Sequence, residues 1–161
     1  MADCIIGFGS NIDDRSGNIR NALNSMTIFF RLAKLSSIYE TEPIGYDHQG
    51  WFHNAVARGI FDGDPLELIN LILKIQDNAG NGKKHKNAPR KLDIDIITFD
   101  DIVINTQELT IPHPGLTERM FVLLPLKEIY PDFIHPVSKY SIDKLIENCT
   151  DKSIVKRREH L

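Results

Sequence analysis

Hydrophobic and polar positions along the chain follow a strand period in some segments and a helix period in others. Residues 4–8 form a short apolar run that ends in Gly9-Ser10-Asn11, which predicts a buried strand and then a loop. Asp13 or Asp14 can cap a first helix, because apolar residues then recur at helical spacing. The same patterns predict strands over residues 32–39, 51–61 and 92–99. They also predict a helix from Asp64-Pro65 through Ile75, a helix over residues 117–129 and a short helix from the cap Ser141 to Asn148.

These elements alternate in the order β-α-β-β-α-β, which predicts an α+β protein with a ferredoxin-like sheet and helices packed on its faces. We expect residues 92–99 to pair with residues 102–104 through a turn at Asp100-Asp101. Pro125 should interrupt or kink its helix. The length of 161 residues and the hydrophobic content of 42% are typical of one globular domain, so a single domain over residues 1–161 is predicted.

Charge, cysteine content and hydropathy exclude several classes of protein. The net charge of −3 argues against a protein that coats nucleic acid, so no nucleic-acid partner is expected. Cys4 and Cys149 are too few for a disulfide framework, which favours a reducing compartment. The N-terminal apolar run is too short for a signal peptide, and no stretch is long enough to span a bilayer. We therefore expect a cytoplasmic protein without membrane contacts.

Two aspartates in the strand over residues 92–99 are the first candidates for chemistry. Side chains two residues apart on a strand point to the same side, so Asp93 and Asp95 should lie ~6.6 Å apart along it, with Ile94 and Ile96 on the core side. Close carboxylates repel each other, and Mg²⁺ removes that repulsion while it also binds substrate phosphates. An edge strand with a polar face is the simpler interpretation of such a pair taken alone.

The loop before this strand makes a metal and phosphate site a stronger interpretation of the aspartate pair. Five basic side chains and one histidine fall within nine residues and suit the charge of a triphosphate: Lys83, Lys84, His85, Lys86, Arg90 and Lys91. A solvated charge run is the usual explanation of lysines in a loop. Because the loop lies beside the aspartate pair, a role in phosphoryl or nucleotidyl transfer explains its charge equally well. No Walker lysine motif occurs in the chain, and residues 7–12 lack the third glycine of a dinucleotide fingerprint.

A second group of residues suits a flat heterocycle. Phe52 and Asn54 share one face of their strand, close in sequence to the loop over residues 41–45. By pattern alone, a core role for Phe52 and a turn role for Asn54 are the commoner explanations. His113 lies between two prolines and fits a structural turn, and the other histidines lack the spacing of zinc ligands.

Several motifs in a fixed order resemble one family nearly end to end. They are Gly9-Ser10-Asn11, YETEPIG at residues 39–45, FHNA at 52–55, KNAPRKLDIDII at 86–97, TIPH at 110–113 and RMF at 119–121. In this order they resemble 6-hydroxymethyl-7,8-dihydropterin pyrophosphokinases. The segment with Pro89-Arg90 and the aspartate pair is the most specific of them.

The resemblance implies transfer of pyrophosphate from ATP, the co-substrate, to 6-hydroxymethyl-7,8-dihydropterin in folate biosynthesis, with release of AMP. It implies two Mg²⁺ ions on Asp93 and Asp95, and catalytic roles for Arg90, Lys83 and Asp95. A monomer is expected. The implied pterin contacts are Thr41, Pro43, Ile44, Gly45, Phe52, Asn54 and Phe121. The implied ATP contacts are Gln76, Lys83, Lys84, Lys86, Arg90, Ile96, Thr110, His113 and Arg119.

The chain departs from the family pattern mainly in the basic loop. Asn81 and Lys83 stand where many members have arginine, Asn87 where they have tryptophan, and Gln76 where they have glutamate. Lysine cannot form the two parallel hydrogen bonds that an arginine guanidinium group donates to a phosphate. A relative that binds pterin and nucleotide with weakened turnover is therefore the alternative hypothesis, and a nucleic-acid-binding module of the same fold is disfavoured by charge.

Overall fold

An antiparallel sheet forms the centre of the molecule in the computed structural model, which describes residues 1–43, 49–80 and 89–160. Within these ranges the strands of the main sheet are β1 (Ala2–Ser10), β2 (Phe30–Leu35), β3 (Ser37–Thr41), β4 (Phe52–Phe61), β5 (Asp93–Phe99) and β8 (Val155–His160). A separate small sheet pairs β6 (Ile104–Asn105) with β7 (Thr110–Ile111). The helices are α1 (Arg15–Met26), α2 (Pro65–Asn78), α3 (Met120–Ile129) and α4 (Ile142–Asn148).

The strand order β5-β1-β4-β3-β8, with β2 also paired to β4, confirms the α+β class and the ferredoxin-like sheet. Two core clusters lie on opposite faces of this sheet. Ile6 of β1 packs in the cluster that contains residues of α1 and α2. Its neighbour Ile5 packs in the cluster that contains residues of α3 and α4, because successive side chains of a strand point to opposite faces. Helices therefore cover both faces, as predicted.

Three helix starts follow their predicted caps. The Asp14 carboxylate accepts the Gly17 N–H at 3.0 Å, so Asp14 rather than Asp13 is the N-cap of α1. Asp64 and Glu67 form a capping box around Pro65 at the start of α2, and Ser141 accepts the Lys144 N–H at the start of α4. These contacts satisfy N–H groups that have no partner within the helix, which explains why short-range sequence signals located them well.

The structure corrects four local predictions. The strand over residues 32–39 is two strands, because the chain breaks at Ser36, whose hydroxyl accepts the Val56 N–H at 2.9 Å. Pairing of β5 with residues 102–104 is wrong: β5 pairs with β1, and Ile104 pairs with Ile111. Helix α3 begins at Met120 and continues through Pro125. Strand β8 was not predicted, because its exposed, largely charged residues lack an apolar alternation.

No helix in the described part of the chain is long and apolar enough to cross a bilayer.

Candidate functional site

A cavity of about 480 Å³ opens on the α3 side of the sheet, where β1, β4 and β5 form its floor. Its walls are the segment after β3, the segment before β5 and the start of α3. Gly9 lies on the floor, and a Cβ atom there would approach the Asn54 side-chain oxygen to 3.1 Å. Glycine therefore allows Asn54 and Phe52 to sit close to β1. Of the predicted site residues, the lining includes Thr41, Phe52, Asn54, Arg90, Asp93, Asp95, Arg119 and Phe121.

One end of the cavity carries the predicted heterocycle contacts. Phe52 and Phe121 are both half-buried and both line it, so Phe52 is not simply a core residue. The buried Asn54 amide donates to the Thr41 hydroxyl at 2.8 Å, which fixes the orientation of the amide. Pro43 is half-buried beside this wall and does not line the cavity. The predicted contacts Ile44 and Gly45 lie outside the described residues.

The two aspartates of β5 lie on the cavity side of the sheet. The side chains of Asp93 and Asp95 are 38% and 46% exposed, whereas Ile94 and Ile96 are buried on the other side. Burial raises the pKa of Asp93 to about 6, the charge of Asp95 acts in the same direction, and Arg90 and Arg119 oppose them. An Arg90 guanidinium nitrogen lies 3.6 Å from the Asp93 carboxylate. The strand period thus produces the carboxylate pair that the sequence predicts.

This pair fits Mg²⁺ better than a metal whose ligands are all protein side chains. The described residues contain no group of three or more His, Cys, Asp or Glu side chains that could hold such a metal. Mg²⁺ is usually held by one or two carboxylates, with waters and substrate phosphates in its other positions. Burial is the main cause of the raised pKa of Asp93, and a bound divalent cation would oppose it by favouring the ionised carboxylate.

His113 faces the aspartate pair from the segment that follows β7. Its Nδ1 atom accepts the Gly115 N–H at 2.9 Å, so a neutral ring carries its proton on Nε2, which lies 3.7 Å from an Asp95 oxygen. Burial lowers the pKa of His113 and Arg119 lowers it further, while Asp95 opposes them. The residue therefore has both the structural turn contact and an orientation toward the site.

Three of the remaining predicted ATP contacts, Gln76, Ile96 and Thr110, are not among the residues that line the cavity. The Gln76 side-chain oxygen accepts the Ile94 N–H at 2.7 Å, at the edge of β5 that is not paired with β1. Thr110 is half-buried in β7. The Ile96 side chain is only 3% exposed, so its backbone alone is available to a ligand on that edge. Lys83, Lys84 and Lys86 lie outside the described residues.

Asn11 is a site residue for which sequence reasoning assigned no role. Its backbone N–H donates to the Arg90 carbonyl at 3.0 Å, and its side-chain oxygen accepts the Arg90 N–H at 2.7 Å. Its side-chain amide donates to the Gln49 side chain at 2.6 Å and to the Gly50 carbonyl at 3.3 Å. Asn11 thus joins two walls of the cavity. The only available signal was its place at the end of a strand, in the motif Gly9-Ser10-Asn11.

Comparison with known proteins decides the family. Residues 5–131 match the family model described as 7,8-dihydro-6-hydroxymethylpterin-pyrophosphokinase (HPPK). The chain belongs to this family. The 2-amino-4-hydroxy-6-hydroxymethyldihydropteridine pyrophosphokinase of Aquifex aeolicus is 39% identical over 137 residues, which are 85% of this chain and 86% of the relative.

Longer proteins also contain an HPPK-like segment. The folic acid synthesis protein FOL1 of Dictyostelium discoideum is 36% identical over 140 residues, and this chain covers 21% of its length. A crystal structure of Plasmodium falciparum HPPK-DHPS superimposes with a TM-score of 0.72 at 17% identity, over 91% of this chain and 43% of that one. At this identity the superposition shows the shared HPPK fold alone.

Proposed function

We propose that this HPPK-family protein transfers the pyrophosphoryl group of ATP to the hydroxymethyl group of 6-hydroxymethyl-7,8-dihydropterin, with release of AMP, as a step of folate biosynthesis. The observation that carries the proposal is one cavity with an aromatic and amide end beside a carboxylate pair and two arginines. Family membership over residues 5–131 supports the same substrates.

The pterin ring would bind between Phe52 and Phe121, since aromatic rings bind flat heterocycles by stacking and burial. Asn54, held by Thr41, would form hydrogen bonds with the polar edge of the ring. The family resemblance adds Pro43, Ile44 and Gly45 as further proposed pterin contacts. The hydroxymethyl group would then point toward Asp93 and Asp95, which lie across β1 from Asn54.

Asp93 and Asp95 would hold Mg²⁺, and the family resemblance implies two ions. When bound, Mg²⁺ neutralises phosphate charge and polarises the hydroxyl and phosphoryl oxygens. Arg90 and Arg119 would turn toward the phosphates, and His113 would donate from Nε2. Arg90 would stabilise the charge that develops on the leaving AMP, so the protein mainly positions the reactants and balances charge.

The remaining ATP contacts would come from the outer edge of β5 and from the basic loop. Gln76, the backbone of Ile96, and Thr110 would contact the ribose and adenine. Lys83, Lys84 and Lys86 would contact the phosphates, with Lys83 in a catalytic role. A monomer that works in the cytoplasm is part of this proposal, and the two buried, unpaired thiols Cys4 and Cys149 are consistent with a reducing compartment.

The test is an assay of the purified chain with ATP, Mg²⁺ and the pterin alcohol together. AMP and the pterin pyrophosphate should form in equal amounts, and omission of the pterin or addition of EDTA should stop both. Calorimetry with each ligand separates the alternative: binding of pterin and of a non-hydrolysable ATP analogue without AMP release would identify a relative that has lost turnover.

A further inference from the structure

The start of α3 carries two proposed substrate contacts, Arg119 and Phe121, but lacks a local cap. Arg119 occupies the N-cap position, and its side chain makes no capping hydrogen bond. The N–H of Met120, the first residue of the helix, instead donates to a carboxylate oxygen of Asp151 at 2.9 Å. Asp151 lies 31 residues farther along the chain, outside the segment that matches the family model. The Asp151 carboxylate therefore accepts the helix N–H group that a local N-cap side chain would otherwise serve.

Asp151 is itself held firmly in place. Its second carboxylate oxygen accepts the Ser153 N–H at 2.8 Å. Burial tends to raise the pKa of Asp151, but these hydrogen bonds and the positive charge of Arg119 outweigh burial and lower the pKa. The carboxylate is thus ionised at neutral pH and faces both the helix start and Arg119, where a negative charge is favourable.

The segment that contains Asp151 also reaches the opposite wall of the cavity. The Ile154 N–H donates to the Glu42 carboxylate at 2.8 Å, and the Glu42 N–H donates to the Ile154 carbonyl at 3.3 Å. Glu42 lines the cavity directly after Thr41. Residues 151–154 therefore contact the two walls that would hold the pterin, the start of α3 on one side and the end of β3 on the other.

Arg119 and Phe121 are close neighbours at this helix start. The guanidinium carbon of Arg119 lies 5.7 Å from the centre of the Phe121 ring. The Arg119 side chain also crosses Gly115 so closely that a Cβ atom there would lie 2.7 Å from its Nε atom. A small rotation of the first turn of α3 would therefore move both side chains together.

We propose that Asp151 is a positioning residue that sets the first turn of α3, and thereby the places of Arg119 and Phe121, for pterin binding and phosphate contact. This inference rests on the proposed function for its substrates. Without the carboxylate, the Met120 N–H loses its acceptor and Arg119 loses the favourable negative charge of Asp151. Asp93 and Asp95 lie on β5, and the Asp151 carboxylate accepts hydrogen bonds from Met120 and Ser153, so Asp151 does not hold the proposed metal ligands directly.

The experiment compares Asp151→Ala and Asp151→Asn with Asp143→Ala. Asp143 is the matched control, because it also contacts α3, through Lys127 at 2.6 Å, but at the far end from the cavity. Asp151→Ala should raise the pterin KM and lower kcat by about tenfold to 100-fold, since small misplacements of contact groups cost that much. Asparagine keeps one acceptor oxygen, so Asp151→Asn should give an intermediate loss. Asp143→Ala should stay within about twofold of the original protein.

A double-mutant cycle provides a readout that a purely structural role would not change. If Asp151 acts through Phe121, Asp151→Ala should weaken pterin binding much less in a Phe121→Ala background than in the original protein. A variant that unfolds at a lower temperature but keeps KM and kcat within about twofold at a temperature where it is folded would overturn the proposal. Should Asp151→Ala fail to fold, Asp151→Asn decides by the same criteria.

Failure of the proposed function is recognised separately. If the original protein releases no AMP, that proposal fails, and the positioning role is then read from calorimetric titration with the pterin alcohol. Weaker pterin binding by Asp151→Ala, with Asp143→Ala unchanged, supports the positioning role in that case. Equal binding by all three proteins contradicts it.

Discussion

The chemistry of the site depends on a few side chains whose environments differ from those of their neighbours. Asp93 and Asp95 are partly exposed into the cavity, while Ile94 between them is buried in the core. The pKa of Asp93 is about 6, mainly because of burial and then of Asp95. A divalent cation beside Asp93 would favour its ionised form, which is the physical reason for the proposed metal site.

Substitution of Asp93 or Asp95 by alanine should abolish transfer and leave the fold intact. Both side chains line the cavity, so their loss would remove the proposed metal ligands and no core packing. AMP release should fall at least about 100-fold, because charge stabilisation by a bound metal is worth several kcal/mol. A steady-state assay with circular dichroism checks both parts. Asp101→Ala, at an exposed turn, is the control. Near-normal AMP release by either variant would contradict the carboxylate assignment.

Alanine at Phe52 or Phe121 should weaken pterin binding and spare ATP binding. The loss should be roughly 1–3 kcal/mol, from lost stacking and burial of the ring. Titration calorimetry with each ligand measures the two affinities separately, so ATP is the internal control. Equal losses for both ligands would show that these aromatic side chains act through the core.

At the scale of elements, α3 is anchored at both ends. Asp151 binds its first N–H group, and Glu128 near its other end binds β3. The Glu128 carboxylate accepts the Ser37 N–H at 2.9 Å, the Ser37 hydroxyl at 2.8 Å and the Tyr39 hydroxyl at 2.7 Å. These bonds tie the helix that carries Phe121 to the strand that carries Thr41. Both walls of the cavity are therefore parts of one hydrogen-bonded frame.

The anchor at Glu128 predicts a pH-dependent contribution to stability. Burial would raise the pKa of Glu128, but hydrogen bonds from Tyr39 and Ser37 and the charge of Arg157 outweigh burial and lower the pKa. A lowered folded-state pKa stabilises the protein above the ordinary glutamate pKa, and this contribution disappears as pH falls through the lowered value. Glu128→Gln should therefore cost about 1–3 kcal/mol at neutral pH, and less in acid.

Urea unfolding of both proteins, at about pH 7 and at about pH 3.5, measures this difference. Glu147→Gln is a suitable control, because Glu147 is an exposed residue of α4 whose ion-pair partner is Lys144. Its stability should match that of the original protein at both pH values. A Glu128→Gln cost that is equal at both pH values would show that the ionised carboxylate is not the stabilising group.

At the scale of the whole molecule, the central strands join the two helical layers. Strand β1 contributes Ile6 to one core cluster and Ile5 to the other, and β4 likewise contributes Ala55 and Val56. Loss of either layer would expose apolar side chains of the same strands that support the other layer. The molecule should therefore behave as one cooperative unit, in line with the single domain expected from the sequence.

We expect denaturant unfolding to follow one transition. Far-UV circular dichroism reports the secondary structure, and fluorescence of Trp51, the only tryptophan in the sequence, reports the start of β4. The two curves should coincide, because a domain of this size usually unfolds in a two-state manner. Separate midpoints would show that the layer of α3 and α4 unfolds independently of the rest.

Short-range rules were sufficient for much of the fold and for part of the site. The strand period by itself put Asp93 and Asp95 on one face and Ile94 on the other. Local side-chain acceptors located the starts of α1, α2 and α4 within a residue. The order of the motifs was sufficient for the family. The strand face and the helix starts depend on residues a few positions apart, and the order of the motifs is read along the chain itself, so the sequence alone determined these features.

Only the tertiary structure decided which distant segments meet. The hydrogen-bonding edge of β5 could have paired with the residues that follow it, but the chain paired it with β1, which buries Ile94 and Ile96 beneath α2. The contacts of Asn11 with Arg90, and of Asp151 with Met120, join segments 79 and 31 residues apart. A backbone N–H group donates to any acceptor that lies near it, so the local sequence does not specify the partner. Packing of the whole chain chose it, and with it the shape of the cavity.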